Sequence, residues 1–211
     1  MIPWQRLRRP SWPEGANYVY EGTAEDEQLE PDGDETYIIA FGDASGGKHA
    51  SDRLHRRVGV GVGFFTLAAA RAQGAPRARI WGNVAGNQQE VGRGELIALR
   101  DAIRAVAPDC DLVFFTDRLS VVTGWEQRKW EAQEDGDANP DIWRDIGGRL
   151  RASPQRRVQV HKVESHMGDA DVALGIGTES MRHGNDVADE AARRGADAVG
   201  VCAGTVAHNA R

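Results

Sequence analysis

Three short apolar segments follow one another in the first half of the chain, and the stretches between them lack the periodicity of an amphipathic helix. Residues 37–41 (YIIAF), 58–65 (VGVGVGFF) and 78–84 (ARIWGNV) have the composition of β-strands. Strands joined without a helix pair antiparallel, so this order predicts an antiparallel meander. The glycines that alternate with valine in 58–65 indicate close approach of another backbone, and no helix follows to make them a dinucleotide-binding loop.

Helices enter after the third strand. Apolar residues recur at helical spacing between positions 95 and 106, and a proline follows at position 108. The remaining elements are expected as strands at 112–116 and 158–163 and as helices from near Arg118, from Asn139 and over about 185–194. The predicted order is βββαβααβα, an α/β chain without internal repeats.

Charge is distributed unevenly along the 211 residues. The chain carries 26 basic and 32 acidic residues, a formal net charge of −6, which taken alone disfavours a nucleic-acid partner. Eight of the acids lie within residues 21–35, which hold no Lys or Arg, and the rest of the chain is close to +2. This acidic segment of low hydrophobicity predicts a solvated arm or linker.

Three regions follow from these patterns. Residues 1–36 combine a basic, tryptophan-containing start with the acidic arm, 37–197 form a folded domain, and 198–211 form a C-terminal tail. The basic start is interpreted as a tail or as a junction to an upstream domain. An auxiliary nucleic-acid-binding arm is the alternative interpretation.

Neither a membrane span nor a secretory leader is recognisable in the sequence. No apolar run reaches the roughly 18–20 residues required to cross a bilayer, and residues 1–13 lack an apolar core. The two cysteines, Cys110 and Cys202, form neither a disulfide framework nor a paired metal-ligand motif. We therefore expect an intracellular protein, in the nucleus or the cytoplasm, without a membrane partner.

Four acidic residues stand on predicted elements in a suggestive order. Asp43 and Asp117 follow the first and fourth strands with matching side-chain parity. Glu95 begins the first long helix, and Asp189 lies within the last one. Each alone is typical of a turn or a helix cap. Together they would repel one another, and hard divalent cations relieve such repulsion, so the four acids predict a metal site.

Six short segments in this order resemble type 1 ribonuclease H. They are 41–47 (FGDASGG), 93–96 (RGEL), 115–117 (FTD), 139–143 (NPDIW), 163–168 (VESHMG) and 185–189 (NDVAD). The long loop at 51–57 and the extended histidine loop are similar to those of retroelement ribonuclease H domains. Two positions depart from the family pattern, because Ala44 replaces a glycine and Arg118 replaces a serine.

This resemblance implies that residues 37–197 form a catalytic α/β domain with a five-stranded mixed sheet flanked by helices. Three antiparallel strands come first, and the fourth lies parallel to the first. The implied activity is that of an endonuclease that hydrolyses the RNA strand of an RNA–DNA hybrid and leaves 5′-phosphate and 3′-hydroxyl ends.

The resemblance also implies a ligand set for two Mg²⁺ ions. Asp43 would bridge both ions. Glu95 and Asp117 would hold one of them, and Asp189 would hold the other. Mn²⁺ is expected to substitute, because it favours the same oxygen ligands.

Further residues are implied to handle the substrate. His166 matches the family's mobile-loop histidine, which assists proton transfer or product release, and His183 is the alternative. The implied substrate contacts are Gly46, Gly47, Gln88, Gln89, Arg93 and Asn185. Basic side chains would position phosphates without reading sequence, and the candidates are Arg93, Arg118, Arg128 and Lys129.

Two other functions stay open. Junction resolvases and integrases share the fold and the acid cluster, and a degenerate ribonuclease H-like domain of a retroelement polyprotein could bind hybrids without cleaving them. All four acidic positions are filled, which favours an active enzyme. The expected partner is an RNA–DNA hybrid, with an upstream polymerase domain if the chain derives from a polyprotein. The isolated domain is expected to be monomeric.

Overall fold

The structure, a computed structural model, describes residues 18–22, 37–52, 56–132 and 137–198. Six strands form one sheet: β1 Tyr18–Gly22, β2 Tyr37–Ser45, β3 Gly59–Phe65, β4 Ala78–Asn83, β5 Asp111–Thr116 and β6 Val158–Lys162. Six α-helices accompany it: α1 Leu67–Arg71, α2 Val91–Ala105, α3 Leu119–Glu126, α4 Pro140–Arg151, α5 Asp169–Ala173 and α6 Glu179–Asp197. None of the described helices is both long and apolar enough to cross a membrane.

The strand order is β1-β4-β3-β2-β5-β6. Strands β2, β3 and β4 form the predicted antiparallel meander, with Asp43 opposite Gly61 and Gly61 opposite Trp81. β5 joins β2 in parallel, with Phe41 opposite Phe115, and β6 joins β5 in parallel. The predicted mixed α/β sheet is confirmed. Because β2 and β5 run in the same direction, the residues at their carboxyl ends meet at one edge of the sheet.

The sheet has six strands, so the expectation of five is wrong. The additional strand β1 lies within residues 1–36, the region assigned to an arm or linker, and it pairs antiparallel with β4. Tyr18 and Tyr20 pack against the core, and the Tyr18 hydroxyl hydrogen-bonds the fully buried carboxylate of Asp101 on α2. Five residues beside an acidic run are a weak strand signal, and a partner 83 positions away cannot be read from local pattern.

Most of the two terminal regions lies outside the described residues, namely 1–17, 23–36 and 199–211. The basic start, most of the acidic arm and the C-terminal tail therefore stay predictions. Apart from β1 and the single-turn helices α1 and α5, the order of elements is the predicted one. Five residues are too few to establish a helical period in a sequence, which explains why those two turns were not predicted.

Helix α6 lies directly on the glycine face of β3. A Cβ at Gly61 would fall 2.3 Å from the carbonyl oxygen of Ala188, and a Cβ at Gly59 would fall 1.9 Å from that of Ala192. Neither contact leaves room for a side chain, so the predicted close backbone approach is confirmed. The alternating valines of β3 point to the opposite face, where α2 covers the main core.

Candidate active site

Three carboxylates converge at the edge where the parallel strands end. Asp43 comes from β2, Asp117 directly follows β5, and Glu95 comes from the second turn of α2. One ligand oxygen of each lies within 4.8 Å of those of the other two. Asp43 and Glu95 are buried, with 8% and 3% of their surface exposed, and Asp117 is half-buried. The structure thus brings together three of the four predicted acids.

Small residues allow α2 to approach β2 closely enough for this geometry. A Cβ at Gly94 would fall 2.7 Å from the Cβ of Ala44. The alanine that replaces the family's glycine is therefore accommodated against a glycine on the facing helix. The backbone N–H of Ala44 donates to Asp43 Oδ1 at 2.7 Å and to Glu95 Oε1 at 3.3 Å. One backbone amide thus orients two of the carboxylates.

Thr116 is a residue of the site that the sequence reasoning missed. Its buried hydroxyl donates to Glu95 Oε2 at 3.3 Å and accepts from the backbone N–H of Arg118 at 3.1 Å. The hydroxyl therefore links the strand end that carries Asp117 to the helix that carries Glu95. The signal available in the sequence was a hydroxyl residue at a buried strand end, directly before an acid.

Burial dominates the electrostatics of the cluster and raises the pKa of each of its three carboxyl groups. Burial, followed by repulsion from Asp117, raises the pKa of Asp43 to about 6. The pKa of Glu95 is raised well above its ordinary value, by burial first and then by Asp43. Burial also raises the pKa of Asp117, and this rise is partly offset by the nearby side chains of His166, Lys162 and Arg118. Within the described residues, no Lys or Arg forms an ion pair with Asp43 or Glu95.

This donor set fits a hard divalent cation. All three groups offer carboxylate oxygens, the ligands that Mg²⁺ and Mn²⁺ prefer, and their spacing lets more than one oxygen reach the same ion. A cation would also supply the positive charge that the protein itself does not place beside Asp43 and Glu95.

Asp189 stands near the cluster but outside it. Its charge contributes to raising the pKa of both Asp43 and Asp117, which places it within electrostatic reach of these two acids. Its own carboxylate is paired with Arg193, one helical turn further along α6, at 2.6 Å. The close packing of α6 on β3 sets this position, since Ala188 and Ala192 on either side of Asp189 contact the sheet.

The two candidate histidines are placed differently. His166 is exposed, adopts a positive φ of 51°, and lies near enough to Asp117 to lower the pKa of that acid. His183 places Nε2 2.9 Å from the carbonyl oxygen of Gly74 and packs its ring edge-on against Phe65. The geometry therefore favours His166 for the predicted catalytic role, which stays a prediction.

Two of the predicted substrate contacts, Gln89 and Arg93, have side chains that bind other groups of the protein. The Gln89 side chain accepts from Val58 N at 2.8 Å and donates to the carbonyl oxygens of Val84 and Gly86, at 2.8 and 2.7 Å. The Gln89 side chain thereby holds together the loop between β4 and α2. Gln88, by contrast, is exposed.

Arg93 is likewise engaged, although the sequence nominates it for the substrate. Its guanidinium pairs with Asp141 at 2.5 Å and donates to Asn139 Oδ1 at 3.0 Å, which ties α2 to the start of α4. These partners lie 48 and 46 positions away, so no local motif reveals them.

The remaining predicted substrate contacts lie on α6 or close to its C-terminal end. Gly46 and Gly47 follow β2, and Gly47 adopts a positive φ of 65° beside Ala196 at the end of α6. Asn185 is buried on the same helix. None of them lies in the carboxylate cluster, and their contact with a substrate stays a prediction.

Fold and site together define a class of protein. A mixed sheet of this order, with carboxylates clustered where its parallel pair ends and a long helix across its antiparallel strands, is a ribonuclease H-like arrangement. The sequence model of the RNase H family matches residues 38–197. The chain belongs to the RNase H family, as its motifs predict.

Solved structures support the fold. The RNase H domain of prototype foamy virus matches with a TM-score of 0.54 at 17% identity, over 79% of this chain and 98% of that domain. The native protease–reverse transcriptase of the same virus gives 0.57 at 16% identity, over 84% of this chain and 23% of that one. LC11-RNase H1 in complex with an RNA/DNA hybrid gives 0.51 at 13% identity, over 76% and 97%. The chain thus spans about a quarter of the viral polyprotein chain and nearly all of the isolated domains. A comparison of the sequence with curated proteins finds no match.

Proposed function

We propose that the protein is an endonuclease that hydrolyses the RNA strand of RNA–DNA hybrids. The observation that carries this proposal is the cluster of Asp43, Glu95 and Asp117 at the edge where the parallel strands end, in which Asp43 and Glu95 are buried and form no ion pair with a described Lys or Arg. Membership of the RNase H family supports a nuclease, and the hybrid-bound LC11-RNase H1 shows that a similar fold accepts this substrate.

The proposed cofactor is Mg²⁺, bound as two ions, with Mn²⁺ as a substitute. Asp43 would serve both ions, Glu95 and Asp117 one of them, and Asp189 the other. The pair of ions would supply activation of the attacking water and stabilisation of the leaving 3′-oxygen, which yields 5′-phosphate and 3′-hydroxyl ends. In the structure Arg193 pairs with Oδ2 of Asp189, so Oδ1 would be the oxygen offered to the ion while that pair persists.

The chain's own groups hold the acids in position. The Ala44 amide donates to Asp43 Oδ1 and Glu95 Oε1, and the Thr116 hydroxyl donates to Glu95 Oε2, so these three oxygens have defined positions. His166 is proposed to carry a proton to or from the reacting phosphate, or to assist product release, from its exposed position beside Asp117.

Recognition of the RNA strand is proposed to depend on its 2′-hydroxyls. The turn at Gly46 and Gly47, the exposed Gln88 and the α6 residue Asn185 are the proposed contacts. Gln89 and Arg93 act indirectly, because the first shapes the loop that carries Gln88 and the second holds α2 against α4. We further propose an intracellular setting, nuclear or cytoplasmic, and a monomeric domain, with an upstream polymerase domain as partner if the chain derives from a polyprotein.

A substrate competition experiment tests this function. End-labelled RNA–DNA hybrid is incubated with the protein and Mg²⁺ beside double-stranded RNA, double-stranded DNA and a branched DNA junction. The proposal expects cleavage confined to the RNA strand of the hybrid and absent from Asp43→Asn. Cleavage of the junction in preference to the hybrid would favour a resolvase, and hybrid binding without cleavage would favour an inactive binding module.

A further inference from the structure

One basic side chain beside the acid cluster differs from the other residues nominated for phosphate contacts. Of the four basic residues that the sequence nominates for phosphate contacts, three form ion pairs within the protein: Arg93 with Asp141, Arg128 with Glu131 and Lys129 with Asp137. The fourth is Arg118, which is exposed and forms no ion pair with a carboxylate of the described residues. The structure thus separates this residue from the other three.

The Arg118 side chain is nevertheless held in a defined place. Its Nε donates to Ser120 Oγ at 3.3 Å. One terminal nitrogen lies 3.4 Å from where a Cβ of Gly92 would stand, so the guanidinium rests on the first turn of α2. The backbone N–H of Arg118 donates to the Thr116 hydroxyl, which in turn donates to Glu95. The residue is therefore built into the framework that orients the acids.

The other cations near Asp117 do not offer the same charge. Lys162 pairs with Glu164 at 2.5 Å, and His166 is the residue proposed to move a proton. The Arg118 charge reaches Asp117, because it lowers the pKa of that acid in opposition to burial. A permanent positive charge is thus available at the edge of the site.

We propose that Arg118 binds a backbone phosphate of the nucleic-acid strand that enters the carboxylate cluster, next to the phosphate that is cleaved, and so positions that strand. The inference rests on the proposed function and names a contact within it. A guanidinium donates two parallel hydrogen bonds to a phosphate, and the Ser120 hydroxyl fixes the plane of this one. Such a contact adds affinity without sequence preference.

Salt dependence of hybrid binding tests the contact directly. Binding is measured by fluorescence anisotropy in the Asp43→Asn background, where cleavage does not interfere, between about 50 and 200 mM salt. Arg118→Ser is expected to weaken binding several-fold and to reduce the slope of log Kd against log salt by about 0.9, the value of one lost phosphate contact. Arg118→Lys is expected to restore the slope and only part of the affinity, because it keeps the charge without the fork geometry.

Arg157→Ser provides the matched control. Arg157 is 80% exposed and pairs with Asp111, the first residue of β5, at the opposite end of that strand from Asp117. Its removal deletes the same charge and is expected to leave the slope unchanged. An unchanged slope in Arg118→Ser, or an equal reduction in both variants, would overturn the inference. Thermal unfolding of the two variants identifies any loss of binding that comes from the fold.

Activity separates this inference from the proposed function. In the otherwise unaltered enzyme, Arg118→Ser is expected to raise KM for the hybrid more than it lowers kcat. If the protein binds hybrid with an Arg118-dependent slope but never cleaves it, the proposed function fails and the contact stands. If the protein cleaves hybrid and the slope of log Kd against log salt is the same with and without Arg118, only the proposed contact fails. If the Asp43→Asn protein binds no hybrid, both fail.

Discussion

At the scale of single residues, the site is defined by carboxylates whose protonation the fold has shifted. Asp43 and Glu95 are buried close together, and burial raises the pKa of each, so both carboxyl groups lose their protons at a higher pH than isolated acids. Stability of the metal-free protein and activity of the metal-bound protein therefore make opposite demands on these side chains.

The pH dependence of stability follows from that shift. The pKa of Asp43 is raised from 3.8 to about 6, so its contribution to stability is fully present below pH 3.8 and is lost as the pH rises through about 6. In EDTA at pH 8, Asp43→Asn is expected to raise the free energy of unfolding by on the order of 2 kcal/mol, and therefore to raise Tm by several degrees. Near pH 4 the substitution is expected to have little effect on either quantity. Thermal melts of both proteins across this range check the sign. A lower Tm for Asp43→Asn at pH 8 would contradict the account.

Neighbouring acids on α6 provide a second residue-scale prediction. Asp189 lies within electrostatic reach of the cluster, whereas Asp186 is exposed. If Asp189 is the metal ligand proposed above, Asp189→Asn is expected to lower kcat at least about 100-fold and Asp186→Asn to leave it within about twofold. Steady-state cleavage of a hybrid compares the two. The reverse result would show that Asp186, and not Asp189, is the acid of α6 that acts at the site.

At the scale of elements, the contact of α6 with β3 determines where the fourth acid stands. Because both partners contribute backbone atoms to this contact, the helix has no freedom to adjust by changing a rotamer. The Val-Gly alternation of β3 is thus required for the position of Asp189 at the proposed site as well as for the packing of the core.

Gly61→Ala tests this requirement. The added methyl group would meet the Ala188 carbonyl oxygen at 2.3 Å, so α6 must move, at a cost of about 1–3 kcal/mol or more and with loss of activity. Gly148→Ala is the control, since nothing lies within 4 Å of its Cβ in α4, and it is expected to stabilise the protein by about 0.5–1 kcal/mol. Chemical denaturation measures both. Equal stability of Gly61→Ala and the parent would refute the close contact.

The edge strand β1 depends on one buried hydrogen bond. Tyr18→Phe removes the hydroxyl that reaches the buried Asp101 and is expected to lower the free energy of unfolding by about 1–3 kcal/mol. Urea unfolding of the parent and of Tyr18→Phe measures the difference, and equal free energies of unfolding would remove the special role of the Tyr18 hydroxyl.

At the scale of the whole molecule, the sequence predicts those strands, helices and motifs that short local patterns define. Strands β2 to β5 are largely apolar and β6 alternates apolar and polar residues, and the acids beside these strands form short motifs with fixed spacing. β1, the pairing of Arg93 with Asp141, and the hydroxyl bridge from Thr116 to Glu95 depend on partners brought together only by the fold. Arg93 and Gln89 show the same limit, because their residue types suit a substrate but their surroundings engage them within the protein.

Net charge also changes meaning at this scale. The value of −6 comes largely from residues 21–35, while the rest of the chain is close to +2 and itself contains the four acids of the site. Two bound divalent cations would add four positive charges where the scissile phosphate is proposed to lie. A negative total charge therefore does not argue against a nucleic-acid substrate.

The most direct test of the central claim is analysis of the products formed from a hybrid with a uniform RNA strand. Parent protein and Asp43→Asn are incubated with it in Mg²⁺ and in EDTA, and the fragments are identified by mass spectrometry. The account predicts internal RNA fragments with 5′-phosphate and 3′-hydroxyl ends from the parent in Mg²⁺ alone, and an intact DNA strand throughout. Intact RNA with the parent in Mg²⁺, or equal cleavage by Asp43→Asn, would contradict it.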